Sequence, residues 1–343
     1  MKSIFVKLLY MLEKRQATVL VTVVEEQGSA PRGTGACMLV GARGRLVGTI
    51  GGGAVEKRAE ETALHLLGEQ RSLLFSFELR PGTAENNVGM VCGGDVTVWF
   101  QYIPGESALW KDLAAAAVSR LQSGEPAWLA LRLDGGEPAL LDAAGCSIAG
   151  AEPAESGLVA PGCLRKGTYF SLPLPPGERV FVFGGGHIAL ALVPLLKSVG
   201  FRPVVFDCRP EYAATERFPA AEQVICGDFL HLSDYVNLKE EDYAVVMTNG
   251  HAFDFEVQDQ ILRRPLAYVG VIGSRSKTAA VNARLRERGV PEDAIAAVHT
   301  PVGVSIKAVT PEEIAVSIAA EMILVRALRR EGEAEPHHAC PMH

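Results

Sequence analysis

The sequence predicts an α/β protein in which a mixed α/β unit precedes a doubly wound parallel sheet. Three observations predict it. An apolar, β-rich run from Arg179 to Phe183 stops at three consecutive glycines and gives way to a helical stretch. Further β-rich runs recur behind it with the period of alternating strands and helices. A proline-rich break containing Pro173, Pro175, Pro176 and Gly177 separates this half from the one before it, at residues 172–178, and reads as a linker. With 343 residues, the chain also exceeds what one small core usually supports.

Composition narrows the function classes. With 48% hydrophobic and 21% charged residues the chain reads as globular. Its net charge of -7, from 40 acidic and 33 basic residues, argues against an extended nucleic-acid surface, which needs a basic excess. No apolar stretch approaches the roughly 18 residues of a membrane span, and the N-terminus lacks a signal-peptide pattern, so no membrane insertion and a cytoplasmic location are expected. The cysteines, at 37, 92, 146, 163, 208, 226 and 340, include no CxxC pair, which fits reduced thiols rather than a disulfide framework or a zinc site.

In the first unit, residues 1–171, Phe5, Leu8, Leu9 and Leu12 recur at helical spacing and predict an amphipathic helix over 3–15. Strands follow at 17–25, 36–40 and 45–49, then a helix over 54–70, strands at 73–79 and 96–103, and an Ala-rich helix over 106–122. Residues 127–133 and 138–141, joined through Asp134-Gly135-Gly136, predict a hairpin extension. Residues 150–167 carry no clear pattern.

In the second unit, residues 179–330, the strand ending at Phe183 leads through Gly184, Gly185 and Gly186 into a helix that begins near His187 and reaches Ser198. Gly184 permits the tight turn and Gly186 lets a phosphate approach the backbone, where the helix start offers free N–H groups and a positive dipole end. The strand at 203–206 ends in Asp207, about twenty positions past Gly184, where a Rossmann domain places the acid that takes ribose hydroxyls. Strands at 223–226, 243–248, 267–272 and 296–299 continue the pattern. Thr310-Pro311-Glu312-Glu313 is a capping box before a last helix whose Ile314, Ile318, Met322 and Val325 share one face. Residues 331–343 are expected to be a disordered tail.

Ligands of such sheets sit at the carboxyl ends of the strands, so the loops there carry the candidate residues. Thr248, His251 and Asp254 follow one strand; His251 and Asp254 are an acid/base pair or, on the plainer reading, helix-capping residues. Ser274, Arg275 and Lys277 follow the next, as a phosphate site or a solvated helix start. The first unit has its own glycine run, Gly51, Gly52 and Gly53, at a helix start, with Arg32 in the Gly-rich loop upstream. Cys92 lies between a turn and a strand, where a lone cysteine reads as inert core. His337, His338, Cys340 and His343 in the tail are candidate metal ligands.

Taken in order, the run from Gly28 to Val40, Gly-Thr-Ile-Gly-Gly-Gly at 48–53, Cys92-Gly93-Gly94, Gly-Gly-Gly-His at 184–187, Gly-Val-Ile-Gly-Ser-Arg at 270–275 and Thr-Pro-Glu-Glu-Ile-Ala at 310–315 resemble the XdhC/CoxI family. Asn249 stands where that family's pattern has a histidine. The resemblance implies an N-terminal XdhC/CoxI domain, a Rossmann domain, and a chaperone that binds molybdenum cofactor, as molybdopterin or its dinucleotide form. It further implies that the protein holds the cofactor while a cysteine desulfurase supplies a sulfido ligand, and inserts it into an apo molybdenum hydroxylase such as xanthine dehydrogenase. A homodimer is expected on the same ground. Cys92 would then ligate molybdenum or carry sulfur. The competing reading is an NAD(P)-dependent oxidoreductase in which Asp207 binds ribose and His251 donates a proton to a small carbonyl.

Overall fold

The computed structural model describes residues 1–28, 33–78, 94–273 and 275–331. The chain divides into two compact units, Met1–Pro176 and Gly177–His343.

The first unit opens with α1 (Lys2–Glu13), which buries Ile4, Phe5, Leu8 and Leu12 at helical spacing. Strands β1 (Thr18–Gln27), β2 (Cys37–Gly41) and β3 (Gly44–Gly48) precede α2 (Gly53–Glu69); β4 (Leu73–Glu78) and β5 (Asp95–Ile103) follow it. The five strands form an antiparallel sheet in the order β3-β2-β1-β5-β4. β1 is apolar on both faces because both are covered. Val19, Val21 and Val23 pack with Val55, Ala59 and Ala63 of α2, whereas Leu20 and Val24 join the core of α1 and α3 (Ala108–Ser123). α3 is started by Ser107, whose hydroxyl accepts from the Trp110 amide at 3.3 Å, and it ends at Gly124 in the left-handed conformation.

The expected hairpin of 127–133 with 138–141 is present as two neighbouring strands of a second antiparallel sheet, which completes this unit. Its strands β6 (Ala127–Arg132), β7 (Ala139–Leu141), β8 (Ser147–Gly150), β9 (Leu164–Lys166) and β10 (Tyr169–Leu174) run in the order β8-β7-β6-β10-β9. The expected linker over 172–178 is therefore corrected at its start, since Leu172, Pro173 and Leu174 are strand. Phe170, Leu172 and Leu174 are buried in the α1–α3 core, and that alternation outweighs the prolines. Pro173 is tolerated because β9 pairs with β10 only as far as Ser171, which leaves Pro173 opposite Trp128 of β6 with no described strand on its other side.

The second unit contains β11 (Arg179–Phe183), α4 (His187–Ser198), β12 (Arg202–Asp207), β13 (Gln223–Cys226), β14 (Tyr243–Val246), α5 (His251–Ile261), β15 (Tyr268–Val271), α6 (Arg275–Glu287), α7 (Glu292–Ala296) and α8 (Pro311–Glu331). Its sheet is parallel throughout in the order β13-β12-β11-β14-β15, the doubly wound arrangement expected. α4 and α8 cover one face through Leu192, Leu196, Ile318 and Met322; Phe255 and Ile261 of α5 with Leu285 of α6 cover the other. The capping box forms as read: the Thr310 hydroxyl accepts from the Glu313 amide at 3.2 Å and Glu313 accepts from the Thr310 amide at 3.1 Å. The strand expected at 296–299 is not one. Ala296 ends α7, and only His299 pairs, as a single parallel bridge to Gly270. No described helix is long and apolar enough to cross a membrane.

Candidate functional site

In the second unit, register places four loops along one edge of the sheet. Phe183 pairs with Phe206 and Val246, and Val246 with Val271, so the segments after β12, β11, β14 and β15 emerge side by side. The chain reverses direction across the sheet between β11 and β14, the position where such sheets take ligands.

The glycine turn after β11 is built residue by residue. Gly184 has φ +115°, and a Cβ there would lie 2.3 Å from the Met247 carbonyl; one on Gly185 would lie 2.3 Å from that of Tyr212. Gly186 differs, because a Cβ on it would meet nothing within 4 Å. It is the N-cap of α4, and among the described residues no side chain caps that helix, which leaves its first-turn amides available beside the exposed His187.

Asp207 is 1% exposed, and both its oxygens are engaged. Oδ2 accepts from the Gly185 amide at 2.8 Å and from Arg209 Nη2 at 2.8 Å; Oδ1 accepts from the Arg209 amide at 3.0 Å and from its Nε at 2.9 Å. Burial alone would raise this carboxyl's pKa. The Arg209 guanidinium and the Gly185 and Arg209 amides outweigh it and hold the group below its usual range. With about four lone-pair directions in use, Asp207 here clamps the glycine turn rather than presenting a free carboxylate to a ribose.

Beyond β14, Thr248 donates its hydroxyl to Asp254 Oδ1 at 2.6 Å, and its amide donates to the same oxygen at 3.0 Å. Asp254 is 6% exposed and lies in the first turn of α5, whose N-cap Gly250 has φ +122°. Its geometry is that of a loop clasp. His251 begins α5 and Arg275 begins α6, with Lys277 in its first turn; the side chains of these three lie outside the described residues, as does Ser274. A cavity of about 20 Å³ between Asp254, Gln258, Thr278 and Thr300 has room for about one water.

The first unit gathers its glycine segments in the same way. Gln27 pairs with Asp95, Asp95 with Glu78, Cys37 with Thr22, and Met38 with Gly48. The far ends of β1, β3 and β4 and the starts of β2 and β5 thus share one edge, where α2 begins. Gly51, Gly52 and Gly53 all have positive φ there. Their turn is occupied from within: Glu56 Oε2 accepts from the Ile50 and Gly52 amides at 3.1 Å each and from the Thr49 hydroxyl, while Oε1 pairs with Arg45 at 2.5 Å. Burial works to raise the Glu56 pKa, but these hydrogen bonds and Arg45 hold it low. An anion would have to displace this carboxylate. Among the described residues, a neighbouring cavity of about 230 Å³ has Glu25, Glu26, Glu78 and Asp95 in its lining, the wrong sign for phosphate.

Arg32, Cys92 and the tail residues His337, His338, Cys340 and His343 lie outside the described residues. Among the described cysteines, Cys37 is buried, and burial pushes its pKa up to about 11 against the opposing effect of the Thr22 hydroxyl, the signature of an inert thiol. The residues that sequence reasoning passed over are Arg209, Tyr212 and Arg217, beside the glycine turn, and the inward role of Glu56. The only available signal was Asp207-Cys208-Arg209, a cation two places after the expected ribose acid.

Residues 11–78 match the XdhC and CoxI family, and residues 180–322 match the XdhC Rossmann domain. The chain is 29% identical over 326 residues to a protein of Bacillus subtilis (strain 168) named as a probable xanthine dehydrogenase subunit, covering 92% of this chain and 95% of that one. It is 26% identical over 328 residues to the molybdenum cofactor insertion chaperone PaoD of Escherichia coli (strain K12), covering 94% and 87%. Identity to YqeB, an uncharacterized protein of the same strain, is 27% over 325 residues; that match covers 94% of this chain but spans only 46% of YqeB. A crystal structure described as a xanthine dehydrogenase from Bacillus halodurans superposes with a TM-score of 0.79 at 25% identity, covering 96% of this chain and 98% of that one. Matched in both of its units, in the family's order, the chain belongs to the XdhC and CoxI family.

Proposed function

We propose that this protein is an accessory chaperone that binds molybdenum cofactor and inserts it into an apo molybdenum hydroxylase of the xanthine dehydrogenase type. The observation that carries the reading is an uncapped helix start with open space at Gly186, at the ligand-binding edge of a Rossmann sheet, in a chain similar along 94% of its length to a protein named as an insertion chaperone. The cofactor carries a phosphate, alone or within a dinucleotide, and that edge suits an anion: Gly186 and His187 open α4, with Thr248 on the adjoining loop. The Gly51–Gly53 turn suits it less, because Glu56 holds its amides.

When bound, the cofactor supplies the molybdenum centre; the chain's part is to hold, shield and release it. Cys92 is the thiol assigned to molybdenum or sulfur, with a cysteine desulfurase as donor, a cytoplasmic setting and a homodimer as further parts of the proposal. The oxidoreductase reading has less support, since Asp207 and Asp254 are both buried in internal hydrogen bonds.

The test is molybdenum and pterin content of protein incubated anaerobically with released cofactor and re-isolated, wild type beside Cys92→Ser. Near-stoichiometric molybdenum on the wild type is expected, lost in the variant. Retention of neither molybdenum nor pterin by the wild type overturns the chaperone reading, and full retention by Cys92→Ser removes the thiol from it.

A further inference from the structure

We infer that the crevice of the second unit selects a ligand bearing a phosphomonoester at the corner formed by Arg209, Tyr212 and Arg217, over one offering a ribose diol there. The inference deepens, and rests on, the reading of that crevice as a phosphate-ligand site. It starts from Asp207. A diol-binding acid needs free oxygens, and here Oδ2 accepts from Gly185 and Arg209 while Oδ1 accepts twice from Arg209.

The pairing also changes the charge of the corner. Arg209 neutralises Asp207 and lies over the Tyr212 ring, its guanidinium carbon 3.6 Å from the centroid. A second guanidinium, that of Arg217, lies 5.1 Å from the same centroid. Among the described groups in contact here, two cations stand beside one carboxylate, which leaves one positive charge in excess.

Arg217 points to a ligand independently. Its Nη2 reaches the Gly185 carbonyl at 3.4 Å, which fixes it against the glycine turn, while its Nε is buried and has no hydrogen-bond partner among the described residues. A buried donor of a charged group left without an acceptor is costly, and a small shift of the Arg217 side chain that brings it to a ligand oxygen removes that cost. Phosphate oxygens meet planar guanidinium donors in pairs, whereas a neutral diol gains little from two cations. The Tyr212 carbonyl packs against Gly185, so this corner and the glycine turn form one structure with Gly186 open beside it.

Such a phosphomonoester has two sources, the 2′-phosphate of an adenine dinucleotide and the terminal phosphate of a pterin cofactor. The full chain is titrated calorimetrically with two matched pairs: adenosine 2′,5′-bisphosphate against adenosine 5′-monophosphate, and the oxidised, phosphorylated pterin released from molybdenum cofactor against the same pterin after phosphatase treatment. At least tenfold tighter binding of the extra-phosphate member is expected in one pair, and which pair identifies the source. Arg217→Ala should lower that preference at least fivefold, and Arg217→Lys should restore part of it. Arg209→Ala, checked for folding by its thermal midpoint, should bind adenosine 5′-monophosphate more tightly than the wild type because Asp207 is freed. Equal binding within both pairs overturns the inference while leaving the crevice a ligand site. Binding of none of the four overturns the reading on which it rests.

Discussion

The carboxylate of Glu56 accepts the amide of Gly52 at 3.1 Å, so the glycine turn that starts α2 is closed by a residue from that helix's own first turn. Together with the Ile50 amide, the Thr49 hydroxyl and Arg45, this gives one half-buried carboxylate four partners. Glu56→Gln should destabilise the first unit by about 1–2 kcal/mol and Glu56→Ala by more, because buried amides are left without acceptors. Because its folded pKa is held below the ordinary range, the Glu56 contribution is complete above the glutamate range and is lost as pH falls through it. Urea midpoints between about pH 7 and about pH 3 should fall less steeply in Glu56→Gln than in the wild type, with the difference confined to the lower part of that range.

Glycines of the β11–α4 turn should separate folding from binding. Alanine at Gly184 combines a φ of +115° with a Cβ 2.3 Å from the Met247 carbonyl, so Gly184→Ala should cost about 2 kcal/mol or more. Gly186→Ala adds a methyl to open space, where it meets no protein atom. Its thermal midpoint should stay close to wild type while phosphate-ligand affinity falls at least tenfold. A large loss of stability in Gly186→Ala would show that protein atoms fill the space beside Gly186.

These contrasts mark what was legible in the sequence. The parallel sheet, the glycine turn and the capping box are local patterns: an apolar run, then glycines, then helical spacing, and a Thr-x-x-Glu before an apolar face. Each fixes its element without knowledge of distant residues. β8 to β10 escaped because two of them are only three or four residues long and have no fully buried residue, and the third, whose Phe170, Leu172 and Leu174 are buried in a core built with α1 and α3, contains Pro173 and runs into two more prolines. The site was legible as a set of loops but not as chemistry. Whether Asp207 faces a ligand or Arg209 is a matter of side-chain direction, which spacing does not encode. The same holds for Glu56, where acid and glycines were visible but their hydrogen bonds were not.

Away from the crevice, Glu321 is 1% exposed and accepts from the Tyr268 hydroxyl at 2.5 Å and the Gly303 amide at 2.9 Å, with His299 Nδ1 at 3.5 Å from its other oxygen. It ties α8 to β15 and to the segment after α7. Burial would raise its pKa, yet the hydrogen bonds from His299, Tyr268 and Gly303 hold it low. Its contribution is therefore complete above the ordinary glutamate range and lost as pH falls below it. Glu321→Gln should cost about 2–3 kcal/mol near neutrality and flatten the acid limb of the stability profile; Tyr268→Phe should cost about 1–2 kcal/mol with the acid limb retained. Chemical denaturation at several pH values reads both. Identical acid limbs in wild type and Glu321→Gln would remove Glu321 from the account.

Asp254 distinguishes a loop clasp from a proton-transfer group. Its Oδ1 takes both the amide and the hydroxyl of Thr248, which fixes the β14–α5 loop beside the glycine turn. Asparagine keeps an oxygen able to accept both bonds but gives up the charge and any role as acid or base. Asp254→Asn should therefore lose under about 1 kcal/mol of stability and bind the phosphate ligand within threefold of wild type. Asp254→Ala leaves the Thr248 amide without its acceptor, and both stability, by about 2 kcal/mol, and ligand binding should suffer. Were Asp254 a catalytic acid or base, asparagine would abolish client activation while leaving binding intact. A clasp requires the two readouts to move together in every variant, so measuring cofactor binding and client activation side by side separates the roles.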